Sequence, residues 1–358
     1  MATQQIDATR TEEFADRMVG ILNDGGLALM VSVGHRTGLF DTMTGLPPST
    51  SQEIADAAGL NERYVREWLG AMVTGDIVEY QPEGELYRLP PEHAASLTRD
   101  AAPDNVAAFA QYIGLLGSVE DQVVECFRKG GGVPYSAFPR FQEVMIEDSG
   151  QTVVPALLDH ILPIVPGLPD RLREGIEVLD VGCGSGKALN IMAKEFPASH
   201  FTGYDISEDG LSRARAEAAG LGLTNVRFEA QDAAKLAEKE RYDLITTFDA
   251  VHDQVDPAAV LKGINRALKP DGVYLMQDIA STGRLEDNKE QQPIAPLLYT
   301  ISVMHCMTVS LAWGGQGLGT MWGEQKAREM LREAGFANVD VQRLAHDFQN
   351  SYYVCRKA

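Results

Sequence analysis

The sequence contains few cysteines and, over its first third, no lysine. The four cysteines, Cys126, Cys183, Cys306 and Cys355, are widely spaced and form no CxxC pair. That spacing excludes a disulfide framework and argues against a zinc site. The first residues also lack the basic start and apolar run of a signal peptide. Together these absences predict a cytoplasmic protein without a bound metal.

Positive charge is scarce throughout the chain. The 358 residues include 31 Lys and Arg against 51 Asp and Glu, a formal charge of −20, and no lysine precedes Lys129. Nucleic acids and anionic membrane surfaces both attract Lys and Arg. The composition therefore argues against nucleic acid and membranes as partners. With 44% hydrophobic and 23% charged residues, a chain of this length is typical of a globular protein with two or three domains.

The first 100 residues follow the order of a winged helix. A long helical pattern is interrupted at Gly25 and Gly26, and two shorter helices follow, separated by a turn. A capping box opens the first of these, and Asn61 can cap the second. This order predicts a mostly α-helical winged-helix domain over residues 1–100. Its predicted elements are a helical stretch over 14–43, helices over 50–58 and 62–73, and wing strands over 77–80 and 86–89.

Strands alternate with helices from residue 176 onwards, which is typical of a parallel sheet covered on both faces. The preceding residues, 101–170, have a helical pattern broken by glycines and prolines. We therefore predict a helical linker over 101–170 and an α/β domain over 171–358. The predicted strands are 176–181, 200–206, 226–229, 242–248, 273–278, 339–344 and 352–356.

The strongest motif is a glycine-rich turn after the first of these strands. Residues 178–186 read VLDVGCGSG, so Gly182, Gly184 and Gly186 lie between an apolar strand and a helix. Glycine permits positive backbone angles and lets a ligand lie against the main chain. Taken alone, the motif fits either a dinucleotide site or a phosphate site.

Two later acids narrow the choice of ligand. Asp205 ends the second strand, 23 residues after Gly182, where a carboxylate can accept both hydroxyls of a ribose. Asp232 follows the third strand, where it could accept an adenine amino group. The two acids and the glycine turn together predict a site for an adenosine-containing ligand.

These residues resemble the class I S-adenosylmethionine-dependent methyltransferases. The resemblance covers about residues 176 to 358 and includes the segments 267–272 and 333–336. The third glycine comes one position earlier than in the GxGxxG of NAD enzymes, which favours this family. The resemblance implies S-adenosylmethionine as cofactor and a Rossmann-like sheet of seven strands whose last strand is antiparallel. It implies these cofactor residues: Asp180, Gly182, Gly184, Gly186, Asp205, Ile206, Asp232, Ala233, Phe248 and Asp249.

The front of the chain resembles small-molecule O-methyltransferases of the plant caffeate and bacterial polyketide type. The resemblance rests on residues 34–40 followed by the winged helix. It implies that the winged helix forms the centre of a homodimer and that the linker contributes to the substrate pocket. It also implies a cap insertion over 281–322 and a small-molecule acceptor methylated on a hydroxyl.

His252 is the candidate catalytic residue. It lies nine residues after Asp243 and just past the fourth strand, at the edge where open α/β sheets bind ligands. A neutral imidazole there can align an acceptor and take its proton. In the resembled family a His-Asp pair supplies the base beside an acid at the end of the fifth strand, where Asp278 lies. Gln254 and Met321 depart from the family pattern, which leaves a pocket-lining or structural role for His252 open.

Residues 294–313 form a 20-residue stretch without formal charge, if His305 is counted as neutral. The length just reaches that of a membrane span, but Pro296 and several hydroxyl residues weaken that alternative. The other two alternatives are a helix of the protein core and a cap over the substrate pocket, and the resemblance favours the cap. A metal or thiol site at His305 and Cys306 lacks a second ligand pair. The predicted substrate residues are Phe109, Tyr112, Met145, Met304, His305, Trp313 and Met321.

Two alternatives to an enzyme remain open. The first is a transcriptional regulator that senses a ligand and binds DNA through its winged helix. Its second helix, however, offers Arg63 and Arg66 offset by two glutamates, and its wing is acidic, which is the wrong sign for DNA. The second is a catalytically silent protein that binds S-adenosylmethionine, because the acids around His252 depart from the family pattern.

Overall fold

The computed structural model describes residues 6–357, which form two compact units that divide after Leu115. Each unit has its own buried core. The division of the chain into segments 1–100, 101–170 and 171–358 stays a prediction.

The first unit begins with a 30-residue helix, Ala8–Thr37. Asp7 caps its start, and Gly38 ends it with a φ of 72°. The predicted interruption at Gly25 and Gly26 is wrong, because the helix continues through both glycines. A glycine in a helix costs only about 1 kcal/mol relative to alanine. The side chains that follow, including Leu27 and Met30, pack against the core of the unit and hold the helix in place.

The helix–turn–helix and the wing are confirmed. Thr50 and Glu53 form the predicted capping box, and Asn61 caps the second helix. Strands β1 (Glu79–Gln81) and β2 (Leu86–Arg88) pair in antiparallel fashion as the wing. Phe40 and Trp68, with ring centroids 5.3 Å apart, lie at the centre of the core. The helices after the first are Leu39–Thr44, Ser51–Ala58, Glu62–Thr74, Pro91–Ala94 and Gln111–Gly117, with 3-10 turns at Arg99–Ala101 and Val106–Ala108.

The second unit contains the predicted seven-stranded sheet. Its strand order is β5-β4-β3-β6-β7-β9-β8. Strand β9 alone runs in the direction opposite to the other six. The carboxyl ends of β3 to β7 therefore meet at one edge. Strand β7 begins at Leu268 rather than at 273, because Leu268 already pairs with Tyr242 before a register shift. The strands are β3 (Glu177–Val181), β4 (His200–Asp205), β5 (Val226–Ala230), β6 (Tyr242–Phe248), β7 (Leu268–Ile279), β8 (Asn338–Gln342) and β9 (Asn350–Arg356).

Helices connect the parallel strands, and two apolar clusters of the second unit contain residues from the sheet. The α-helices are Glu120–Lys129, Phe141–Gln151, Val153–Ala156, Leu168–Glu174, Lys187–Glu195, Glu208–Gly220, Pro257–Ala267, Leu285–Gln291, Ala295–Ile301, Met307–Leu311 and Glu324–Glu333. Shorter 3-10 and π turns are Tyr135–Ala137, Leu157–Ile161, Leu162–Ile164, Ala233–Lys235 and Ser302–Cys306.

Within residues 6–357 no single helix has the length and apolar character of a membrane span. The helical segments Phe141–Ile164 and Leu168–Glu174 have that length and apolar character only when they are taken together, and the chain bends by 103° between them. The uncharged stretch 294–313 folds as three short helical pieces.

Candidate active site

The glycine turn lies between β3 and the helix Lys187–Glu195. Gly182, Gly184 and Gly186 have φ values of 76°, 51° and 68°, which L side chains rarely adopt. A Cβ at Gly182 would lie 2.5 Å from the Ala250 side chain, whereas one at Gly184 would meet nothing closer than 3.8 Å. The turn is therefore tightly packed at Gly182, whereas Gly184 has room for a Cβ atom beside the Gln142 side chain.

Two acids lie beside this turn. Asp205, at the end of β4, accepts hydrogen bonds from the backbone N–H groups of Gly184 (2.8 Å) and Ser207 (2.7 Å). Burial raises the pKa of Asp205, although these backbone bonds partly oppose the rise. Asp180, in β3, accepts a hydrogen bond of 2.7 Å from the Thr246 hydroxyl. Burial raises the pKa of Asp180 to about 7.

The other predicted cofactor residues lie at or just beyond the same edge of the sheet. Asp232 caps the turn Ala233–Lys235 and forms an ion pair of 3.0 Å with Lys235. Ala233 is buried, whereas the Ile206 side chain is largely exposed. Phe248 ends β6, and Asp249 follows it.

His252 and Asp278 meet just beyond β6 and at the end of β7. Nδ1 of His252 lies 2.8 Å from Oδ1 of Asp278, and both side chains are buried, with relative exposures of 4% and 0%. The indole N–H of Trp322 donates to the same oxygen over 3.0 Å. Because a carboxylate can only accept, Nδ1 carries the hydrogen and Nε2 is the nitrogen able to take a proton.

The surroundings of His252 determine its basicity. Burial by itself lowers the pKa of His252, but the Asp278 carboxylate and the adjoining Cys306 raise it well above the ordinary histidine value. The next residue, Asp253, accepts a hydrogen bond from the Tyr135 hydroxyl, and burial raises the pKa of Asp253. His252 is therefore a stronger base than an exposed histidine.

Asp249 adds a further carboxylate to this cluster. Its φ of 51° lies in the left-handed region, which Asp and Asn tolerate better than most residues. The Gln277 side-chain amide donates to its Oδ2 over 2.9 Å, and Oδ1 is buried without a partner among the described residues. Burial and the nearby Asp278 charge raise the pKa of Asp249 well above its usual range.

Two stretches of the chain match known families. Residues 25–99 match the Rv2258c-like winged HTH domain, and residues 172–335 match a methyltransferase domain. The second match includes β3 to β7, the glycine turn, Asp205, His252 and Asp278. The chain is a winged-helix methyltransferase of the S-adenosylmethionine-dependent class.

Individual relatives of this methyltransferase agree with that assignment. Demethylmenaquinone methyltransferase of Staphylococcus aureus is 27% identical over 183 residues, which are 48% of this chain and 72% of that protein. Human N-acetylserotonin methyltransferase, solved with S-adenosylmethionine, is 17% identical with a TM-score of 0.70 and is covered over 100% of both chains. The mitomycin 7-O-methyltransferase MmcR is 17% identical with a TM-score of 0.71, covering 98% of this chain and 100% of its own. At these identities the two structures show a shared fold.

The site of this methyltransferase fits S-adenosylmethionine. Gly184 carries no side chain at the turn, and the Asp205 carboxylate accepts its backbone N–H, so the ribose hydroxyls of the cofactor could be accepted there. The unpartnered Oδ1 of Asp249 could accept a hydrogen bond from the cofactor or from an acceptor. The cofactor positions implied by the sequence thus cluster at a single edge of the sheet.

An aromatic cluster surrounds His305, next to His252, in the methyltransferase. The His305 ring stacks on Phe141, with centroids 4.3 Å apart, and makes edge contacts with Tyr135 and Phe138. Burial, and the charge of His252 to a lesser extent, lower the pKa of His305 to about 3, so this imidazole is neutral. Cys306 connects the two histidines, because it hydrogen-bonds His252 and lies 3.6 Å from Nδ1 of His305.

The predicted substrate residues of the methyltransferase lie in several different elements of the chain. His305 lies in the aromatic cluster, and Met304 precedes it in the same turn. Met321 packs in a small apolar cluster with Leu298, and the Trp313 side chain is 69% exposed. Met145 is half-buried in the helix Phe141–Gln151, and Phe109 and Tyr112 belong to the first unit. Roles for these residues in binding the acceptor stay predictions.

Three polar contacts of the site were not predicted from the sequence. Trp322 donates to Asp278, Tyr135 to Asp253, and the Gln142 amide to the Ser207 hydroxyl. No local pattern marks them, because each joins residues at least 44 positions apart. Trp322 follows Met321, where the family pattern has a second acid, and its N–H donates to the Asp278 carboxylate.

Proposed function

We propose that this methyltransferase transfers the methyl group of S-adenosylmethionine to a hydroxyl of a small molecule, with His252 as general base. The observation that carries the proposal is the buried His252–Asp278 pair at the sheet edge that also holds the glycine turn and Asp205. The direct test is acceptor-dependent formation of S-adenosylhomocysteine.

The chain's own residues divide the work of binding the cofactor. Asp205 accepts the ribose hydroxyls, and Asp232 with Ala233 contacts the adenine. The glycine turn, with Asp180 beneath it, holds the methionine part, and Phe248 and Asp249 line the inner side. When bound, the cofactor supplies an electrophilic methyl group on a sulfonium. Positioning of this kind accounts for much of the rate of a displacement reaction.

His252 removes the acceptor's proton in this proposal. Nε2 takes the hydroxyl proton as the oxygen bonds to the methyl carbon and the carbon–sulfur bond breaks, its electron pair staying on sulfur. Asp278 keeps Nδ1 protonated and stabilises the resulting imidazolium. The alternative of a catalytically silent binder is less well supported, since the base is buried, oriented and more basic than usual.

We infer that the winged helix does not bind DNA. The two arginines of its second helix form ion pairs with glutamates on the same helix, Arg63 with Glu67 and Arg66 with Glu62. In the wing, Arg88 faces Glu79 at 3.8 Å. No unpaired positive charge is thus left on these elements for phosphate groups.

We expect no sub-micromolar binding to any duplex in a fluorescence anisotropy titration at low salt. Low salt favours the electrostatic part of DNA binding, so it gives the alternative its best chance. Sub-micromolar affinity for a duplex would reject the proposal and support a transcriptional regulator.

We propose that the protein is a cytoplasmic homodimer, as the sequence predicts. The first helix supports the dimer. An apolar stripe with helical spacing lies on its surface, where the side chains of Phe14, Met18 and Leu22 are 65%, 42% and 72% exposed. Apolar stripes of this kind mark protein interfaces. We infer that a second copy of the chain covers this stripe.

We expect the wild-type protein to elute as a dimer in size-exclusion chromatography with light scattering, and Leu22→Glu to elute as a monomer. The matched control is Asn23→Glu, which adds the same charge one position away from the stripe and should leave the dimer intact. A monomeric wild type, or a dimer that survives Leu22→Glu, would contradict this interface.

A further inference from the structure

Three acids and one histidine lie together at one end of the site. Asp249, Asp253 and Asp278 all act electrostatically on His252 or on one another. Over residues 6–357 none of these acids forms an ion pair with a Lys or Arg; their one ion pair is that of Asp278 with His252. Burial raises the pKa values of Asp249 and Asp253, and a cation bound beside them would lower these pKa values again, because it stabilises the charged carboxylates.

Two buried carboxylate oxygens in this cluster have no hydrogen-bond partner in the described part of the chain. They are Oδ1 of Asp249 and Oδ2 of Asp278, and Asp278 is completely buried. The other oxygen of Asp249 accepts a hydrogen bond from the Gln277 amide. The other oxygen of Asp278 accepts hydrogen bonds from the Trp322 indole N–H and the Ile279 backbone N–H. A buried charged acceptor without a donor is costly, so the cluster is suited to a ligand that brings donors.

The carboxylates of Asp249 and Asp278 also lie close to His252. One oxygen of Asp249, one oxygen of Asp278 and a ring nitrogen of His252 all lie within 4.8 Å of one another. A group bound between the two carboxylates would therefore be next to the base that takes the acceptor's proton. It would belong to the acceptor and lie close to the oxygen that becomes methylated.

We propose that Asp249 and Asp278 form a cation subsite for the acceptor, which selects molecules with an ammonium group on the carbon next to the methylated hydroxyl. The inference rests on the proposed function. An ammonium has three N–H donors, enough to satisfy both unpartnered oxygens. A carboxylate in the same place would be repelled by both acids. The stacked rings of His305 and Phe141 add an aromatic surface near the base, so an aryl amino alcohol matches the site.

Three probes on one skeleton test the selectivity. They are 2-amino-1-phenylethanol, 1-phenylethane-1,2-diol and mandelate, which place an ammonium, a hydroxyl or a carboxylate beside the same benzylic hydroxyl. Each is titrated calorimetrically into the full-length protein saturated with S-adenosylhomocysteine, in the presence of EDTA. We expect the amine to bind at least about tenfold more tightly than the diol, and mandelate more weakly than either.

Asp249→Asn is the matched variant, because Asn also tolerates the left-handed backbone and keeps the side-chain shape. We expect it to bring the amine-to-diol affinity ratio close to one. Asp271→Asn, an exposed aspartate at the start of β7, is the control and should keep the wild-type ratio. Titrating S-adenosylhomocysteine into each variant separates loss of the cofactor site from loss of the cation subsite.

Several outcomes would overturn the inference. These are equal binding of the amine and the diol, a ratio unchanged in Asp249→Asn, and failure of all three probes to bind the saturated protein. The two carboxylates and His252 could also bind a divalent metal. A preference for the amine that appears only when Zn²⁺ replaces EDTA would assign the cluster to a metal. Failure of S-adenosylhomocysteine itself to bind would instead contradict the proposed function.

Discussion

Replacing His252 by alanine is expected to lower kcat by about 10²- to 10⁴-fold, the usual contribution of a positioned general base. The reaction would then lose the base proposed for it, Nε2 of His252, because Nδ1 is held by Asp278. The affinity for S-adenosylmethionine should change little, since His252 is not among the residues assigned to the cofactor. Turnover is measured as S-adenosylhomocysteine release, and affinity by calorimetry.

The pH dependence distinguishes a base from a structural histidine. A base must be unprotonated, and the pKa of His252 is raised, so kcat/KM should fall as the pH drops through a midpoint above the ordinary histidine value of about 6.5. Asp278→Asn removes a charge that raises this pKa, so the midpoint should move to lower pH while the maximum rate falls. The control is His160→Ala, an exposed histidine. Near-normal turnover of His252→Ala would remove the base assignment.

Replacing Asp205 by alanine is expected to weaken the binding of S-adenosylmethionine by about 10²-fold or more. Hydrogen bonds to a charged group contribute about 1.5–3 kcal/mol each, and the carboxylate is proposed to accept two ribose hydroxyls. The same change frees the backbone N–H groups of Gly184 and Ser207, so the turn also loses a support. Calorimetric titration measures the effect directly.

The control for this prediction is Asp209→Ala. Asp209 lies four residues further on and forms an exposed ion pair with Arg213, so its removal should leave the affinity near the wild-type value. An affinity within threefold of the wild type in Asp205→Ala would show that Asp205 does not hold the ribose.

Much of the second unit could be predicted because buried parallel strands have nearly continuous apolar runs. Residues 273–276 of β7, VYLM, are an example, and this strand ends at the edge where the sequence places a ligand. The glycine turn and the acid 23 residues after its first glycine are local patterns of the same kind. The resemblance to the O-methyltransferases implied that Asp278 lies beside His252, and the structure brings their side chains to 2.8 Å.

The contacts that tune the base could not be predicted. Tyr135 reaches Asp253 across 118 residues of sequence, and Trp322 reaches Asp278 across 44. Such pairs depend on how the segments between them fold, which no local pattern records. The predicted interruption at Gly25 and Gly26 was wrong for a different reason. There the packing of the helix against the core overrides the low helix preference of glycine. The Trp313 side chain, predicted to line the pocket, is largely exposed, and its role stays a prediction.

The central claim is methyl transfer from S-adenosylmethionine to a small molecule, and S-adenosylhomocysteine release over a library of small-molecule acceptors tests it most directly. We predict that at least one hydroxyl-bearing acceptor releases S-adenosylhomocysteine together with an equal amount of methylated product, and that His252→Ala abolishes most of this release. If S-adenosylmethionine binds and no acceptor in the library releases S-adenosylhomocysteine above the acceptor-free rate, the protein is a silent binder and the account is contradicted.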